Sequence, residues 1–402
     1  MDLAFSAADE AFRLEVRQWF EANLPHDIKR RTQMHFEPPN PQDVRRWSSL
    51  LNQQGWAVPH WPKEYGGTGW SHVRQHIFEE ERYNADAPDT QWGGTRLVGP
   101  VIYTFGSAAQ KAFFLPRIAS CEHLWAQGFS EPGAGSDLAS LRTRAQDMGD
   151  HWLVNGQKIW TSGAHHADWG FFLVKTGSDV KPQKNISFLL IDMKSPGVAV
   201  RPIIALNGAH ELNEVFLQNV VVPKENLVGE LNMGWNYAKF LLGNERTTSA
   251  FLYLNKRELD RVRAIAQAEV IDGIALMERP EFRIKLARVE AQLLALEWSV
   301  LRVLCNEKTR YDAIAVAAVL KICGSELQQL ITALAMDALG PRSLRHYPCI
   351  DDSRLYDDDP VQFWPAYVPG RTSLFLFHRA ATIYGGTREI QKNLIARLAF
   401  GL

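Results

Sequence analysis

The spacing of apolar residues divides the chain into two helical ends and a middle of short β-type runs. Near the N-terminus, Ser6 is a good helix N-cap, because its side chain can accept a hydrogen bond from an early helical N–H group, and Glu10 follows one turn later. The apolar positions of this first helix are Phe12, Leu14, Val16 and Phe20. We therefore expect a helix that ends before Pro25.

Further helices are expected in the first third of the chain. Pro41 begins a second helix, and others are predicted around 72–85 and 108–119. Between them, residues 55–70 form a loop dense in Gly, Pro and Trp, with the sequence GWAVPHWPKEYGGTGW. These signals predict an α-helical N-terminal domain over residues 1–121.

The pattern changes in the middle of the chain. Residues 151–160, HWLVNGQKIW, place Asn155-Gly156 between apolar, β-favouring residues, which is a strong hairpin signal. Apolar segments follow at short spacing, separated by Gly, Pro, Asn and Asp: WGFFLVK, SFLLIDM, VAVRPII and EVFLQNVVV. This pattern predicts a compact antiparallel β domain over residues 122–228.

The last part of the chain is predicted to be helical again. Long helical segments are expected over about 234–270, 280–306, 310–338 and 372–399. Four long helices suit an antiparallel bundle, here over residues 229–402. Residues 340–371 are too rich in Pro and Asp to continue a helix, and a loop of this length is usually functional or interfacial. The expected fold class is α+β: an N-terminal helical domain, a middle antiparallel β domain and a C-terminal four-helix bundle.

Composition and charge narrow the class of protein. The chain has 402 residues, 46% of them hydrophobic, and a formal net charge of -1, which gives no support to nucleic-acid binding through bulk electrostatics. The four cysteines share no metal-ligand spacing, and no metal site is expected: Cys121, Cys305, Cys323 and Cys349. No run approaches a signal-peptide core or the roughly 20 apolar residues of a membrane span. We expect a cytoplasmic protein with reduced thiols.

The most informative stretch is 125–145, WAQGFSEPGAGSDLASLRTRA. Gly133 and Gly135 allow backbone N–H groups to approach a planar or anionic ligand, and Ser130 and Ser136 add hydroxyl donors. A tight turn explains the same composition, because Gly-Ser loops are common. Composition alone favours the turn.

A second stretch lies at the end of a predicted strand, where Trp160, Thr161 and Ser162 follow Lys158 and Ile159. A Trp followed by two hydroxyls can wall a flat heterocycle and hydrogen-bond its edge. On its own, Trp160 is better explained as a core residue.

Taken together, these motifs resemble the acyl-CoA dehydrogenase family. GWAVPHWPKEYGGTGW, FSEPGAGSD, NGQKIWTSGA and the C-terminal IYGGTREIQKN follow one another over nearly the whole chain, with a β domain between two helical parts. The resemblance implies that the chain binds FAD and an acyl-CoA thioester and catalyses α,β-dehydrogenation. It also implies an electron-transfer flavoprotein as the electron acceptor.

The resemblance also assigns cofactor-binding residues. The FSEPGAGSD and Trp-Thr-Ser segments are expected to cradle the flavin, and their matching residues are Phe129, Ser130, Gly135, Ser136, Trp160, Thr161 and Ser162. Ser136 also matches the position that touches the CoA side of the substrate. Gly386, Thr387 and Glu389 of the final helix are expected on the adenine side of the cofactor.

The catalytic base of the family is not at its usual place. Most members carry it in a Tyr-Glu-Gly-Thr run before the last helix, whereas this chain has Tyr384-Gly385-Gly386-Thr387. In the isovaleryl and long-chain branches the base lies on the first helix of the C-terminal domain. The corresponding stretch, KFLLGNERTTSAFLYL, contains Glu245 followed by Arg246.

We therefore expect Glu245 to be the base, with Arg246, Tyr384 and Gly385 on the substrate side. Glu245 follows apolar Leu241 by one helical turn, and a carboxylate on an otherwise apolar helix face must be paired or functional. The alternative is an ordinary solvated pair of Glu245 with Arg246. Because no side chain occupies position 385, a branched, bulky or ring-bearing acyl group is expected.

Two departures from the family pattern concern subunit contacts. Homotetrameric members carry an Arg-x-x-Phe-Gly run that reaches the FAD of a neighbouring subunit, and the corresponding residues 268–292 of this chain lack it. Where the family often has Gln-x-x-Gly-Gly, this chain has MDALGPRS at residues 336–343. Both changes resemble bacterial heterotetrameric dehydrogenases that act on steroid side chains or dicarboxylic acyl-CoAs. A homo-oligomer with substituted contacts explains them equally well. Three functions stay open: a dehydrogenase, a partner subunit that completes a shared flavin site, and an acyl-CoA oxidase.

Overall fold

Helices build the N-terminal part of the chain. The computed structural model describes residues 5–34, 40–244, 250–304, 312–344 and 365–402. The N-terminal helices are α1 (Ala7–Asn23), α2 (His26–Met34), α3 (Pro41–Gln54), α4 (His72–Asn84), α5 (Gly99–Phe105) and α6 (Ala108–Ala119). The predicted helices around 72–85 and 108–119 are confirmed, as is the helix start at Pro41. The sequence pattern did not predict α2, whose composition is mostly polar and charged.

The first helix shows why these elements form. The Ser6 side chain accepts a hydrogen bond from the Asp9 N–H at 3.1 Å, as expected of an N-cap. Phe12 and Phe20 are buried on one face of α1. Leu14, in contrast, is 52% exposed, so this apolar position does not belong to the buried face. A residue two positions from Phe12 lies on the other side of a helix with 3.6 residues per turn.

The middle of the chain forms a seven-stranded sheet, which confirms the predicted β domain. Its strands are β1 (Trp125–Gly128), β2 (Arg144–Asp147), β3 (His151–Lys158), β4 (Trp169–Lys175), β5 (Ile186–Asp192), β6 (Val198–Ile204) and β7 (His210–Pro223). Their order is β1-β4-β2-β3-β7-β6, and β5 pairs with β4. Most pairs are antiparallel, but β1 runs parallel to β4, so the sheet is mixed rather than wholly antiparallel.

The predicted hairpin at Asn155-Gly156 is wrong. Both residues lie inside β3, and the register against β7 shifts between Val154 and Gly156, which is the mark of a β-bulge. A Cβ atom on Gly156 would lie 2.4 Å from the Thr143 Oγ1 atom. Glycine is therefore needed at this position because the segment around Thr143 approaches it closely, and not because the chain turns there.

The C-terminal part is helical, as predicted. Its helices are α7 (Gly234–Asn244), α8 (Leu252–Ala268), α9 (Pro280–Leu304), α10 (Ala313–Leu339), α11 (Arg371–Phe377) and α12 (Arg388–Phe400), with a short hairpin of β8 (Val270–Ile271) and β9 (Ile274–Ala275) after α8. Two of the long predicted helices are divided. Phe251 before α8, and Gly385 and Gly386 before α12, have positive φ angles of 51°, 65° and 87°, which a right-handed helix cannot contain.

Helix α10 runs through the middle of the C-terminal core. With the turn that follows it, Ala313–Leu344 is long and apolar enough to cross a membrane, but half of its most apolar window is buried inside the protein. A Cβ on Gly324 of this helix would lie 2.0 Å from the Ala250 carbonyl oxygen, so α10 packs tightly on the start of α8. Of the cysteines, Cys121 and Cys323 are free thiols, and Cys305 and Cys349 lie outside the described residues.

Candidate active site

Two of the segments that the sequence identified meet where strands β1 and β3 end. The glycine loop, residues 129–143, follows β1, and the tryptophan segment, residues 160–162, follows β3. The Ile159 N–H group donates to the Ser130 carbonyl oxygen at 2.9 Å. The structure therefore brings the two segments side by side.

The glycine loop contains a turn and an open backbone. Glu131 and Ala134 exchange two backbone hydrogen bonds of 3.0 Å each, so a tight turn is present. Beyond it, Gly133, Gly135 and Ser136 are exposed, and no atom of the described residues outside the adjoining ones lies within 4 Å of a Cβ built on either glycine. A ligand can thus approach this backbone closely.

The tryptophan segment contains an exposed tryptophan and a buried threonine hydroxyl. Trp160 has a positive φ of 60°, uncommon for a residue with a side chain, and it is 57% exposed. Asn213 fixes the Thr161 backbone: the Thr161 N–H donates to the Asn213 carbonyl at 3.0 Å, and the Asn213 Nδ2 donates to the Thr161 carbonyl at 2.9 Å. The Thr161 Oγ1 is buried and has no hydrogen-bond partner among the described residues. Ser162 is exposed.

These features fit the planar ring system of a flavin. The exposed Trp160 indole can cover one face of a flat heterocycle, and the Thr161 hydroxyl can hydrogen-bond its edge. A buried polar group without a partner costs about 1–3 kcal/mol, so a ligand that supplies the partner is favoured. The open backbone beside Gly133 and Gly135 leaves room for the rest of the group.

Phe129 can contribute only through its backbone. Its ring is buried in the core between the helical domain and the sheet, with its centroid 5.7 Å from that of Phe171 and 6.2 Å from that of Phe188. The side chain therefore faces the protein rather than a ligand.

The turn before the last helix is a second candidate region. Thr387 caps α12, and its hydroxyl accepts from the Ile390 N–H at 3.2 Å. Gly386 has a positive φ of 87°, which favours glycine, and a Cβ there would meet the movable end of the Gln391 side chain. Glu389 is exposed. The described contacts of residues 385–391 are thus largely with α10 and α12 themselves.

A buried cation lies beneath this turn. The Lys321 Nζ on α10 donates to the Ala381 carbonyl at 3.1 Å, and its Cε lies 3.9 Å from the position of a Cβ on Gly385. Burial lowers the pKa of Lys321 to about 8, which leaves it mostly protonated at neutral pH. Position 385, where most of the family carries a base, therefore has a lysine below it.

Tyr384 links this turn to the start of α8. Its ring centroid is 6.3 Å from that of Phe251 and 6.1 Å from that of Phe377. Glu245 and Arg246 lie outside the described residues.

The sequence reasoning missed several polar residues at these sites: Glu131, Lys158, Asn213 and Lys321. Lys158 could have been found, because it shares the inward phase of β3 with buried Trp152 and Val154, and a charged residue in that phase requires a partner. Asn213 and Lys321 have no comparable signal, since their partners are backbone carbonyls far away in sequence.

One group outside these regions has the ligand atoms of a cation site, namely His76, Glu80 and Glu297. The Lys256 Nζ is ion-paired with both carboxylates, at 2.6 Å from Glu297, and the Tyr253 hydroxyl lies 3.0 Å from the His76 Nδ1. We therefore describe this group as an ion-pair network between α4, α8 and α9.

The order of a helical, a β and a helical part, with a site between two strand ends that fits a flavin, indicates a flavin-dependent oxidoreductase. Family models agree: the acyl-CoA dehydrogenase N-terminal domain matches residues 6–122, the middle domain residues 126–220 and the C-terminal domain residues 232–400. The chain belongs to the acyl-CoA dehydrogenase family, and it is an FAD-dependent oxidoreductase.

The relatives of the chain include mycobacterial proteins and two-protein complexes. Acyl-CoA dehydrogenase IpdE1 of Mycobacterium tuberculosis (strain ATCC 25618 / H37Rv) is 35% identical, over 98% of this chain and 97% of that protein. The ChsE4-ChsE5 complex from Mycobacterium tuberculosis has a chain with a TM-score of 0.83 and 30% identity, covering 100% of this chain and 99% of that chain. A steroid ACAD, Tcur3481-Tcur3483, gives the same TM-score, identity and coverage.

Proposed function

We propose that this chain catalyses the α,β-dehydrogenation of an acyl-CoA thioester to the trans-2-enoyl-CoA. The proposal is carried by an exposed Trp160 indole that lies next to the buried Thr161 hydroxyl, which has no hydrogen-bond partner in the described part of the chain, beside the open glycine loop. When bound there, FAD supplies the acceptor for the hydride that leaves the substrate Cβ. The proposed cofactor contacts are Phe129 (through its backbone), Ser130, Gly135, Ser136, Trp160, Thr161, Ser162, Gly386, Thr387 and Glu389.

Glu245 is the proposed base, which takes the proton from the substrate Cα. Leu241 and Ala238, four and seven residues earlier, are buried on α7, and the usual base position is Gly385. A carboxylate shielded from water beside a bound thioester has a raised pKa. Such a carboxylate is suited to proton abstraction near neutral pH.

The substrate is proposed to be a branched, bulky or ring-bearing acyl-CoA, in contact with Ser136, Arg246, Tyr384 and Gly385. Position 385 has no side chain, and among the described residues only the Lys321 Cε lies within 4 Å of a Cβ built there, which supports a larger acyl group. The name of the related steroid ACAD supports a bulky substrate class.

We propose that the active form is a tetramer that contains a second, related subunit. Helix α9 carries an apolar row on the side away from the core, where Ile284 and Leu294 are 54% and 53% exposed. Exposed apolar rows of this kind mark association surfaces. The relatives solved as ChsE4-ChsE5 and Tcur3481-Tcur3483 support a partner of a different sequence.

An electron-transfer flavoprotein is the proposed electron acceptor, and the cytoplasm is the proposed location.

Glu245→Gln tests the proposed reaction. We expect the wild-type flavin to be bleached by a suitable acyl-CoA without oxygen, and the Glu245→Gln flavin to be bleached at least about 100-fold more slowly, in line with the usual effect of a general base. Glu122→Gln is the matched control, since Glu122 is exposed and its described ion pair is with Arg117. A wild-type rate in Glu245→Gln would show that another group is the base.

The second candidate function is a partner subunit that completes a shared flavin site without full activity of its own. The two-protein relatives favour it. Co-purification with a related chain, and fewer than one flavin per protomer, would support it.

An acyl-CoA oxidase is distinguished by peroxide formation from oxygen in the absence of an electron-transfer partner. A panel of acyl-CoAs tests the substrate class, and a clear preference for butyryl- or octanoyl-CoA would contradict a bulky substrate.

A further inference from the structure

A buried ion pair lies directly under the glycine loop. Lys158 is 0% exposed, and its Nζ donates to the Glu131 Oε1 at 2.8 Å, to the Phe129 carbonyl at 3.1 Å and to the Leu173 carbonyl at 2.8 Å. Three acceptors match the three donors of an ammonium group. The lysine is therefore fully hydrogen-bonded within the protein.

The ion pair fills a gap along the edge of β4. Strand β1 pairs with residues 169–172 on that edge, and β2 pairs with it at Lys175. Leu173 lies between the two strands, and its carbonyl is the one that accepts from Lys158. The lysine thus replaces a missing strand partner at the place where the chain leaves β1 as the glycine loop.

The carboxylate joins the two ends of the loop. Besides Lys158, Glu131 accepts from the Arg142 N–H at 2.6 Å and from the Thr143 N–H at 2.9 Å. Residues 132–141, which include the exposed glycines, project between these anchor points. Movement of Glu131 would therefore release both ends of the loop at once.

Both partners are charged at neutral pH. Burial lowers the pKa of Lys158 to about 8. Although burial opposes the charge of Glu131, the ammonium of Lys158 holds the pKa of that carboxyl below its usual value. Breaking such a pair by removing one charge leaves the other buried and unpaired.

We propose that Lys158 and Glu131 are positioning residues for FAD, which hold residues 132–141 at the distance from Trp160 and Thr161 that the cofactor requires. The inference rests on the proposed function, because it takes the glycine loop as the flavin site. The Lys158 side chain, being fully buried, acts through the loop rather than on the cofactor itself.

Release of FAD from diluted holoenzyme, followed by flavin fluorescence, tests the inference. For Lys158→Met we expect FAD affinity to fall at least about 10-fold, because only a fraction of the molecules would then hold the loop in its binding geometry and the apparent affinity falls by that fraction, with a changed visible spectrum of the bound flavin. Lys256→Met is the control: it removes a different lysine, one that is ion-paired with the carboxylates of Glu80 and Glu297, away from the loop. The control is expected to lose thermal stability and to keep wild-type FAD affinity.

Affinity within about two-fold of wild type in folded Lys158→Met would overturn the inference, as would an equal loss of affinity in Lys256→Met. Should Lys158→Met not fold, Glu131→Gln takes its place. It keeps the lysine and an oxygen acceptor, and an unchanged FAD release rate in it would equally overturn the inference. A wild-type enzyme that binds FAD but is not reduced by any acyl-CoA would contradict the proposed function and leave the positioning role standing.

Discussion

A buried carboxylate, Glu258, joins the helices of the C-terminal domain. It lies on α8 and accepts hydrogen bonds from Arg371 at the start of α11 and from Arg261, both at 2.6 Å. Arg371 also donates to the Gln33 carbonyl of α2 at 3.0 Å. Glu258 thus ties the segment that leads to the candidate turn at 384–387 to the rest of the protein.

The loss in the free energy of unfolding on removing this charge follows from the pKa of Glu258. Although burial opposes ionisation, the cations Arg261, Arg371 and Arg257 lower the pKa of Glu258 from 4.5 to about 2. Burial lowers the pKa of Arg261 to about 10, so it is still a cation at neutral pH. The shift of Glu258 corresponds to about 3 kcal/mol, which agrees with the roughly 3–5 kcal/mol cost of breaking a buried ion pair.

We predict that Glu258→Gln lowers the free energy of unfolding by about 3 kcal/mol at pH 7, or the melting temperature by roughly 6–12 °C for a domain of this size. Because the folded pKa is lowered, the stabilisation is present above pH 4.5 and is lost as the pH falls towards 2. The difference between wild type and variant should therefore shrink in acid. Melting curves over pH 3–8 measure it.

Glu290→Gln is the control, because it breaks a partly exposed ion pair with Arg263 and is expected to cost about 0.5 kcal/mol or less. If Glu258→Gln melts at the same temperature as this control, or if its difference from wild type does not depend on pH, the reasoning from the pKa is refuted.

The other predictions concern a histidine, a glycine and a hydroxyl. Burial lowers the pKa of His378 from 6.5 to about 4. The unfolded chain therefore binds a proton at a higher pH than the folded protein does, and the folded protein loses stability as the pH falls from 6.5 to 4. In His378→Gln the melting temperature should depend less on pH over this range. Gly156→Ala places a Cβ 2.4 Å from Thr143 and is expected to cost about 1–3 kcal/mol in chemical unfolding, whereas Gly133→Ala, with open space around it, should change stability by less than about 0.5 kcal/mol. Thr161→Val should weaken FAD binding about 5-fold, the value of one hydrogen bond, without lowering the melting temperature of the apoprotein; unchanged FAD affinity by fluorescence titration would contradict its role.

Local signals in the sequence predict the order of the domains and most of their helices. Helix α6 spans Ala108–Ala119 as expected, because Ser107 and Gln110 form a capping box around an amphipathic pattern. The prediction fails where tertiary contacts override local preference. Asn155-Gly156 has the composition of a turn, but the approach of Thr143 makes it a bulge inside β3.

The sequence likewise predicts some residues of the candidate site and misses others. The motifs identify Trp160 and Thr161, but not the Asn213 that fixes their backbone, since that partner is more than 50 residues away. The double glycine at 385–386 indicates a special backbone, and the structure gives both residues positive φ angles. The sequence alone cannot place Lys321 beneath them, because that contact depends on how α10 packs against the turn.

The most direct test of the proposed reaction is the mass of the product. The holoprotein, incubated without oxygen with a ring-bearing acyl-CoA, should convert it to a thioester lighter by two hydrogen atoms, in an amount equal to the flavin that is bleached. An acyl-CoA of unchanged mass, over a panel of bulky and straight-chain substrates and with FAD bound, would contradict the account.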